Sequence, residues 1–293
     1  MPRLTIRHET LYTYARPVRF GCWRLMMRPL DTHAARIRDT SLELSPPGDT
    51  RWSYDAYGNC ICLFHPEGPA ERLKVVSHLT IDRFPAPLGQ PEAENPRSGY
   101  PIVYSHADRR VLEPFIAPDT SDADDRYLEW LRARLPTSGE PALAFLERLT
   151  RAIHADFDYG ARETPGTQSP GETVQLGKGA CRDFAWLMIE SLRRLGIAAR
   201  FVTGYLYSPR LARSNIRGAG ATHAWCEVFL PDLGWLEFDP TNGLVESPSL
   251  IRVAATRTPA EACPMDGEVL DEAESELTVA VDVDLVEDSM RAA

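Results

Sequence analysis

Three residues of the chain, Cys181, His223 and Asp239, have the side-chain types that nucleophilic catalysis requires. In such chemistry a cysteine attacks a carbonyl carbon, a histidine takes the thiol proton, and a carboxylate fixes the tautomer and the orientation of the histidine. The three residues lie far apart in the sequence. They can act together only if the helices and strands that carry them converge.

Cys181 lies where a glycine-containing loop leads into a predicted helix. Apolar residues recur at helical spacing from Phe184 to Leu195, and Gly196 follows them as a helix-ending residue. The unpaired N–H groups and the positive dipole end of a helix start favour an anion, and a thiolate is one. The position therefore predicts a reactive thiol at Cys181, although a small buried hydrophobic residue is the more common role of a cysteine.

His223 and Asp239 lie at the two outer ends of a predicted β-hairpin. Residues 222–230 and 235–242 are rich in aromatic and β-branched side chains, and residues 231–234 form a turn signal between them. Folding the two strands about that turn brings His223 and Asp239 together. The pattern predicts a base and its carboxylate on neighbouring strands, with the nucleophile on a helix.

Three sequence blocks around these residues together resemble the bacterial branch of the transglutaminase-like superfamily of papain-type thiol enzymes. They are Gly-Ala-Cys-Arg-Asp-Phe-Ala at 179–185, Thr-His-Ala-Trp-Cys-Glu-Val at 222–228 and Trp-Leu-Glu-Phe-Asp-Pro-Thr-Asn at 235–242. The resemblance implies a Cys-His-Asp triad at Cys181, His223 and Asp239 and a thioester acyl-enzyme. It implies action on carboxamide bonds of the peptide or glutamine type. Water is the expected acceptor, which makes the enzyme a cysteine peptidase or amidase.

Three other functions fit the same residues. An amine acceptor would make the protein a protein-glutamine amine transferase. A cysteine-dependent deglycosylase that acts on glycopeptide amides would share the triad. In a non-catalytic scaffold the N-terminal domain would bind a partner protein, but the complete triad argues against this function.

Gln175 and Trp225 are further candidates for the site. The tetrahedral intermediate needs hydrogen-bond donors, and the backbone N–H of Cys181 is one candidate. The Gln175 side chain is a second, because papain-like enzymes place a glutamine six residues before the nucleophile; a loop glutamine in water is an equal alternative. Trp225 shares a strand face with His223. It is expected to shield the His–Asp pair or to line the cleft, with core packing equally compatible.

The sequence predicts no metal and no cofactor. Cys60 and Cys62 share a strand face, but no second cysteine pair at ligand spacing follows them. No calcium-loop pattern is present.

Residues 1–105 are predicted to form an N-terminal all-β sandwich, because short alternating strands follow one another with turns between them. The region resembles the β domain that precedes the catalytic core in bacterial transglutaminase-like proteins, most clearly in Asp-Ala-Tyr-Gly-Asn at 55–59. A proline-rich linker spans residues 85–101, and residues 100–104 are predicted to add one strand. The other predicted strands span residues 4–14, 20–28, 36–44, 52–57, 59–64 and 73–81.

Residues 106–293 are predicted to form the catalytic core, an α+β unit in which the nucleophile helix packs on an antiparallel sheet. Helices are expected after the acidic residues 119–125 and from residue 138 onward, and residues 199–207 form the first core strand. The loop 208–221 carries three arginines, which are either solvated or in contact with an acidic substrate. In the acidic C-terminal segment, residues 250–254 and 277–286 are predicted to be strands that pack on the catalytic domain.

The composition sets limits on partners and compartment. With 293 residues, 43% of them hydrophobic and 25% charged, the chain is of ordinary globular composition. A net charge of −10 argues against nucleic acid and against anionic membrane surfaces. No signal peptide or membrane span is expected, and the six cysteines lack disulfide-framework spacing, which predicts a cytoplasmic protein. The expected partner is a protein or peptide substrate, and the β domain is a candidate surface for a protein partner.

Overall fold

The structure is a computed structural model that describes residues 2–84, 99–119, 124–160, 166–207, 222–231 and 233–286. It confirms the predicted fold class: antiparallel sheets are followed by an α+β core in which a helix packs on an antiparallel sheet.

Two four-stranded antiparallel sheets form the N-terminal region. Buried and less buried side chains alternate along the first strand, as expected where one face of a sheet covers a core. Large apolar side chains such as Trp23, Phe64 and Leu73 fill the space between the two sheets. The six N-terminal strands are β1 (Arg3–Val18), β2 (Phe20–Leu25), β3 (Ala35–Ser45), β4 (Gly48–Tyr54), β5 (Cys60–Pro66) and β6 (Ala70–Arg83).

The fourth strand of each sheet comes from the C-terminal end of the described chain. One sheet has the order β15-β1-β6-β3 and the other β14-β2-β5-β4, where β14 is Met265–Val269 and β15 is Ser275–Val286. Residues 277–286 therefore pair with the N-terminal sheet, which the sequence did not predict. Val281 and Val283 of this strand also belong to an apolar cluster with Tyr205, Ile251 and Val253 of the core, in line with the predicted packing on that domain. The alternation of apolar and polar residues along β15 correctly identified a strand, and it matches the alternation along β1. β15 covers the edge of β1, in a register that runs from Arg3↔Val286 to Tyr14↔Ser275.

Within its described residues, the core region contains a five-stranded antiparallel sheet and five α-helices. The sheet has the order β12-β11-β10-β9-β13. Its strands are β9 (Ala199–Leu206), β10 (His223–Leu230), β11 (Gly234–Asp239), β12 (Leu244–Val245) and β13 (Leu250–Thr256), and a separate parallel pair is formed by β7 (Asp158–Tyr159) and β8 (Lys178–Gly179). The helices are α1 (His106–Ile116), α2 (Asp125–Arg132), α3 (Ala142–Asp156), α4 (Pro170–Leu176) and α5 (Cys181–Arg194).

Two features between the domains differ from prediction. Residues 100–104 form no strand; Gly99 makes an isolated bridge to Pro141 instead. Helix α1 follows, with the Ser105 side chain accepting a hydrogen bond from the Asp108 N–H. The apolar pattern missed this helix because only Leu112 and Ile116 of α1 are buried. The Ser-x-x-Asp spacing at its start is the signal that marks it.

Helix α5 is the central element of the core. The predicted apolar stripe is buried, but so is every residue from Asp183 to Arg193, because α5 lies between β10, β9, α4, α3 and α1. The sequence pattern predicted burial on one face only. The charged residues of its second half therefore need partners inside the protein.

Glu190 and Arg193 of α5 satisfy this need with each other and with the backbone. Arg193 Nη1 lies 3.3 Å from Glu190 Oε1, and both side chains are 0% exposed. Arg193 also donates to the carbonyl oxygens of Ala199 and Arg257, and Glu190 accepts from the N–H of Asp119. Burial lowers the pKa of Arg193 to about 10, so it stays charged at neutral pH. The pair fixes the C-terminal end of α5 against β9 and against the segments at residues 119 and 257.

We expect Arg193→Met to lower the free energy of unfolding by about 3–5 kcal/mol, because the buried Glu190 carboxylate would lose the guanidinium charge of Arg193. Urea denaturation followed by circular dichroism measures the change. Arg151→Met is the matched control, since Arg151 pairs with Glu147 on the exposed face of α3 at 2.9 Å; it should cost less than about 1 kcal/mol. Equal losses in both variants would contradict a special role of the buried pair.

Candidate active site

Cys181 is the first residue of α5 and is partly exposed. The buried carboxylate of Asp183 holds this helix start in place. Its Oδ2 accepts from the Ala180 N–H at 2.8 Å, and its Oδ1 accepts from the Gln168 N–H at 2.8 Å. Asp183 thus caps α5 and ties the preceding loop to it, which presents the Cys181 sulfur at a rigid helix end.

Gly179 allows the loop to approach the helix. A Cβ atom at this position would lie 2.9 Å from Asp183 Cβ and 3.1 Å from an aromatic carbon of Phe184. Any larger residue would displace the capping carboxylate or the ring. The glycine two residues before Cys181 is therefore required for packing.

The predicted hairpin is present as β10 and β11, and it brings His223 and Asp239 into contact. The register pairs Cys226 with Phe238, which places Trp225 opposite Asp239 and His223 diagonally across on the same face. His223 Nε2 lies 2.9 Å from Asp239 Oδ2, and both side chains are 0% exposed.

Asp239 accepts three further hydrogen bonds from the turn that follows it. Its Oδ1 accepts from the N–H groups of Thr241 at 2.9 Å and Asn242 at 3.3 Å, and its Oδ2 accepts from Asn242 Nδ2 at 2.9 Å. Burial by itself would raise the pKa of Asp239, because it disfavours the charged carboxylate. The charge of His223 and these hydrogen bonds outweigh burial and lower the pKa of Asp239. The carboxylate is therefore ionised at neutral pH.

His223 is held in its protonated form. Burial by itself would lower its pKa, but the negative charge and hydrogen bond of Asp239, with a smaller contribution from Cys181, raise the pKa of His223 to about 10. The other ring nitrogen, Nδ1, is buried, and within the described chain no group meets it at hydrogen-bonding geometry. Since Nε2 is bound to Asp239, Nδ1 is the ring nitrogen that is left to interact with the Cys181 thiol, which contributes to the raised pKa.

Trp225 stacks against His223. The ring centroids are 5.9 Å apart with an interplanar angle of 27°. Trp225 is fully buried and packs with Val202, Leu206 and Leu250. Trp225 therefore packs in the core and also covers the His223 ring. A role in lining the cleft stays a prediction.

The other sequence candidates are Gln175, the arginines of the 208–221 loop and Cys226. Gln175 is on the exposed side of α4, so its role as a donor to the tetrahedral intermediate stays a prediction. The three arginines of the 208–221 loop lie outside the described residues. Cys226 is buried, and burial raises its thiol pKa well above the ordinary value, so it is unreactive.

Two residues that hold the turn after Asp239 had no predicted role. Asn242 bonds to Asp239, and His154 of α3 donates from Nδ1 to the Thr241 carbonyl oxygen at 2.8 Å. The Asp-x-x-Asn spacing is a signal for the first, since such residues bond within turns. The contact of His154 joins distant elements and has no local signal.

In the part of the chain that the structure covers, no three His, Cys, Asp or Glu side chains are grouped so as to hold a metal ion. None of its described helices has the length and apolar character of a membrane span.

Both regions of the chain match known protein families. The family described as "Transglutaminase-like superfamily" matches residues 131–240, and the "Bacterial transglutaminase-like N-terminal region" matches residues 4–82. An uncharacterized protein of Mycobacterium tuberculosis is 32% identical over 297 residues, which cover 96% of this chain and 92% of that protein.

Two further similarities concern the fold and part of the core. The crystal structure of a candidate cysteine protease from Cytophaga hutchinsonii covers 98% of this chain and 91% of its own, with a TM-score of 0.70 and 21% identity, so the whole fold is shared. A protein-glutamine gamma-glutamyltransferase of Pseudomonas aeruginosa is 30% identical over 138 residues, which are 40% of this chain and 20% of that protein.

Proposed function

Because the chain belongs to the transglutaminase-like superfamily, we propose that it is a thiol-dependent acyl-transfer enzyme that acts on carboxamide bonds of a protein or peptide. Cys181 is the nucleophile, His223 the general base and acid, and Asp239 the residue that orients His223 and offsets its charge. Water is the proposed acceptor, which makes the reaction a hydrolysis.

One observation carries this proposal. A buried His–Asp pair, 2.9 Å apart, lies beside a partly exposed cysteine at a helix start. A buried charged pair is costly in a protein unless it is compensated. Here the Asp239 carboxylate accepts hydrogen bonds at both oxygens, and Cys181 contributes to the raised pKa of His223, as expected where a thiol and a histidine share a proton.

The geometry supports a two-step reaction. In the resting site the thiol proton is already on Nδ1 of His223, and the Cys181 thiolate attacks the carbonyl carbon. The C–N bond then breaks, His223 returns the proton to the leaving amine, and a thioester remains. Water attacks the thioester while giving a proton to His223, the C–S bond breaks, and the thiol is restored. The N–H of Cys181 and the Gln175 side chain are the proposed donors to the oxyanion.

We expect iodoacetamide to alkylate Cys181 rapidly at pH 6. His223 holds its proton at that pH because its pKa is raised to about 10, and the charged ring stabilises the thiolate. Peptide mass spectrometry measures the rate site by site from pH 5 to 10. Cys226 is the buried control. Cys263 is a second comparison, an exposed residue whose thiol pKa is raised by burial of the sulfur. If Cys181 instead reacts only near the ordinary thiol pKa of about 8.5, the triad is not assembled, and the non-catalytic scaffold becomes the better proposal.

The local similarity to the Pseudomonas aeruginosa glutamyltransferase favours an amine acceptor as the second candidate. The two acceptors are distinguished with a glutamine-containing peptide incubated with and without a primary amine. Deamidation or chain cleavage in both samples supports hydrolysis. Incorporation of the amine, with release of ammonia that depends on it, supports the transferase.

A further inference from the structure

We propose that Asn242 is a positioning residue for the His223–Asp239 pair, which rests on the function proposed above. Asn242 holds the Asp239 carboxylate in the orientation that His223 requires. It does not contact the substrate or the thiol in this proposal; its effect passes through Asp239.

The contacts on Asp239 separate the role of Asn242 from that of the backbone. Two backbone N–H groups hold Oδ1. Oδ2 accepts from His223 Nε2 and from Asn242 Nδ2, each at 2.9 Å. Among the described residues, Asn242 is the only side chain besides His223 that bonds to this carboxylate. The oxygen that carries the catalytic hydrogen bond therefore has one other donor, and that donor is the Asn242 amide.

A second donor on Oδ2 matters because the carboxylate is completely buried. A buried carboxylate that lacks hydrogen-bond donors either rotates toward other donors or takes up a proton. With the Asn242 amide in place, the carboxylate plane is fixed at both oxygens, and Oδ2 presents one remaining direction to His223. The imidazole is thereby held with Nε2 toward Asp239 and Nδ1 toward Cys181.

The turn that carries Asn242 is itself anchored to other parts of the core. β12 pairs with the end of β11 through Asp239↔Leu244, which closes the turn. His154 of α3 donates to the Thr241 carbonyl oxygen, and its ring lies 3.6 Å from where a Cβ on Gly243 would stand. Gly243 has a φ of +66°, which favours glycine. The amide of Asn242 is therefore presented from a rigid support, as positioning requires.

Asn242→Ala is the first test, with Asn242→Asp as a second variant that keeps the shape but removes the donor and adds a charge. We expect the rate of Cys181 alkylation at pH 6 to fall about tenfold or more in Asn242→Ala, in line with the 10–100-fold effects of removing supporting hydrogen bonds at other sites. The pH profile should move toward that of an ordinary thiol. The loss should be larger in Asn242→Asp.

The downfield proton resonance of the His223 Nε2–H in ¹⁵N-histidine-labelled protein is the second readout, because a merely structural role would not move it. A shift of this resonance in folded Asn242→Ala supports the proposal. If the resonance and the pH profile are both unchanged, the proposal is overturned, even if the variant is less stable than the wild type. If the wild-type thiol is not activated, the proposed function fails, yet the His223 resonance still decides the role of Asn242.

Discussion

His223→Ala is expected to reduce turnover of a carboxamide substrate by a factor on the order of 10⁴ or more, the scale found when the base of a catalytic triad is removed. The variant loses the acceptor of the thiol proton and the donor to the leaving amine together. It also loses the positive charge that stabilises the thiolate. Rapid alkylation of Cys181 at pH 6 should therefore disappear, while alkylation at pH 9 should persist.

The control for this variant is His78→Ala. His78 lies on the exposed surface of the N-terminal sheet, where its Nε2 is 3.0 Å from Glu43, and its loss should change turnover by less than about twofold. Both variants are compared by kcat/KM and by the rate of alkylation between pH 5 and 10. Persistent alkylation at pH 6 in His223→Ala would show that something other than His223 activates the thiol.

Asp239→Asn is expected to lower kcat by about 10⁴-fold, as the equivalent change does where a neutral amide replaces a triad carboxylate. The amide has nearly the same shape, so the hairpin and the turn should remain folded. The amide cannot offset the charge of His223. Its NH₂ group is a donor, so it cannot accept the hydrogen bond from the Nε2–H of His223. The ring would then favour the tautomer with the proton on Nδ1, which is the wrong one for accepting the thiol proton.

The pH dependence of stability gives an independent measurement of this pair. The pKa of His223 is raised by Asp239, so its favourable contribution is complete below the ordinary histidine value of about 6.5 and is lost as the pH rises through about 10. Asp239→Asn removes that contribution. The wild type should therefore lose stability relative to the variant between pH 7 and 10, as measured by urea denaturation. Parallel curves over that range would contradict the charged pair.

The helix start at Cys181 and the hairpin that carries His223 and Asp239 could be predicted from the sequence, because each depends on residues that are close together in the chain. Periodicity places Cys181 at a helix start, and the turn signal at 231–234 fixes which ends of β10 and β11 meet. The hydrogen bond between His223 and Asp239 follows from that geometry together with the register. The oxyanion donors could not be assigned in the same way, since a spacing of six residues does not determine which side of α4 Gln175 occupies.

What joins distant parts of the chain could not be predicted. The alternation in residues 277–286 defines a strand with one apolar face, but many sheet edges accept such a strand, and β1 was not distinguishable from an edge of the catalytic sheet. Helix α5 shows the same limit. Its apolar stripe is visible in the sequence, whereas the burial of Glu190 and Arg193 depends on partners at Asp119, Ala199 and Arg257.

The pairing of β15 with β1 has a consequence for biosynthesis. Arg3 is opposite Val286 in the register, so the N-terminal sheet that emerges first from the ribosome lacks an edge strand until almost all of the described chain has been translated. The other N-terminal sheet likewise waits for β14, which pairs with β2. Contacts of such large sequence separation slow folding. During that interval, the edge of β1 is unpaired and open to pairing with another chain.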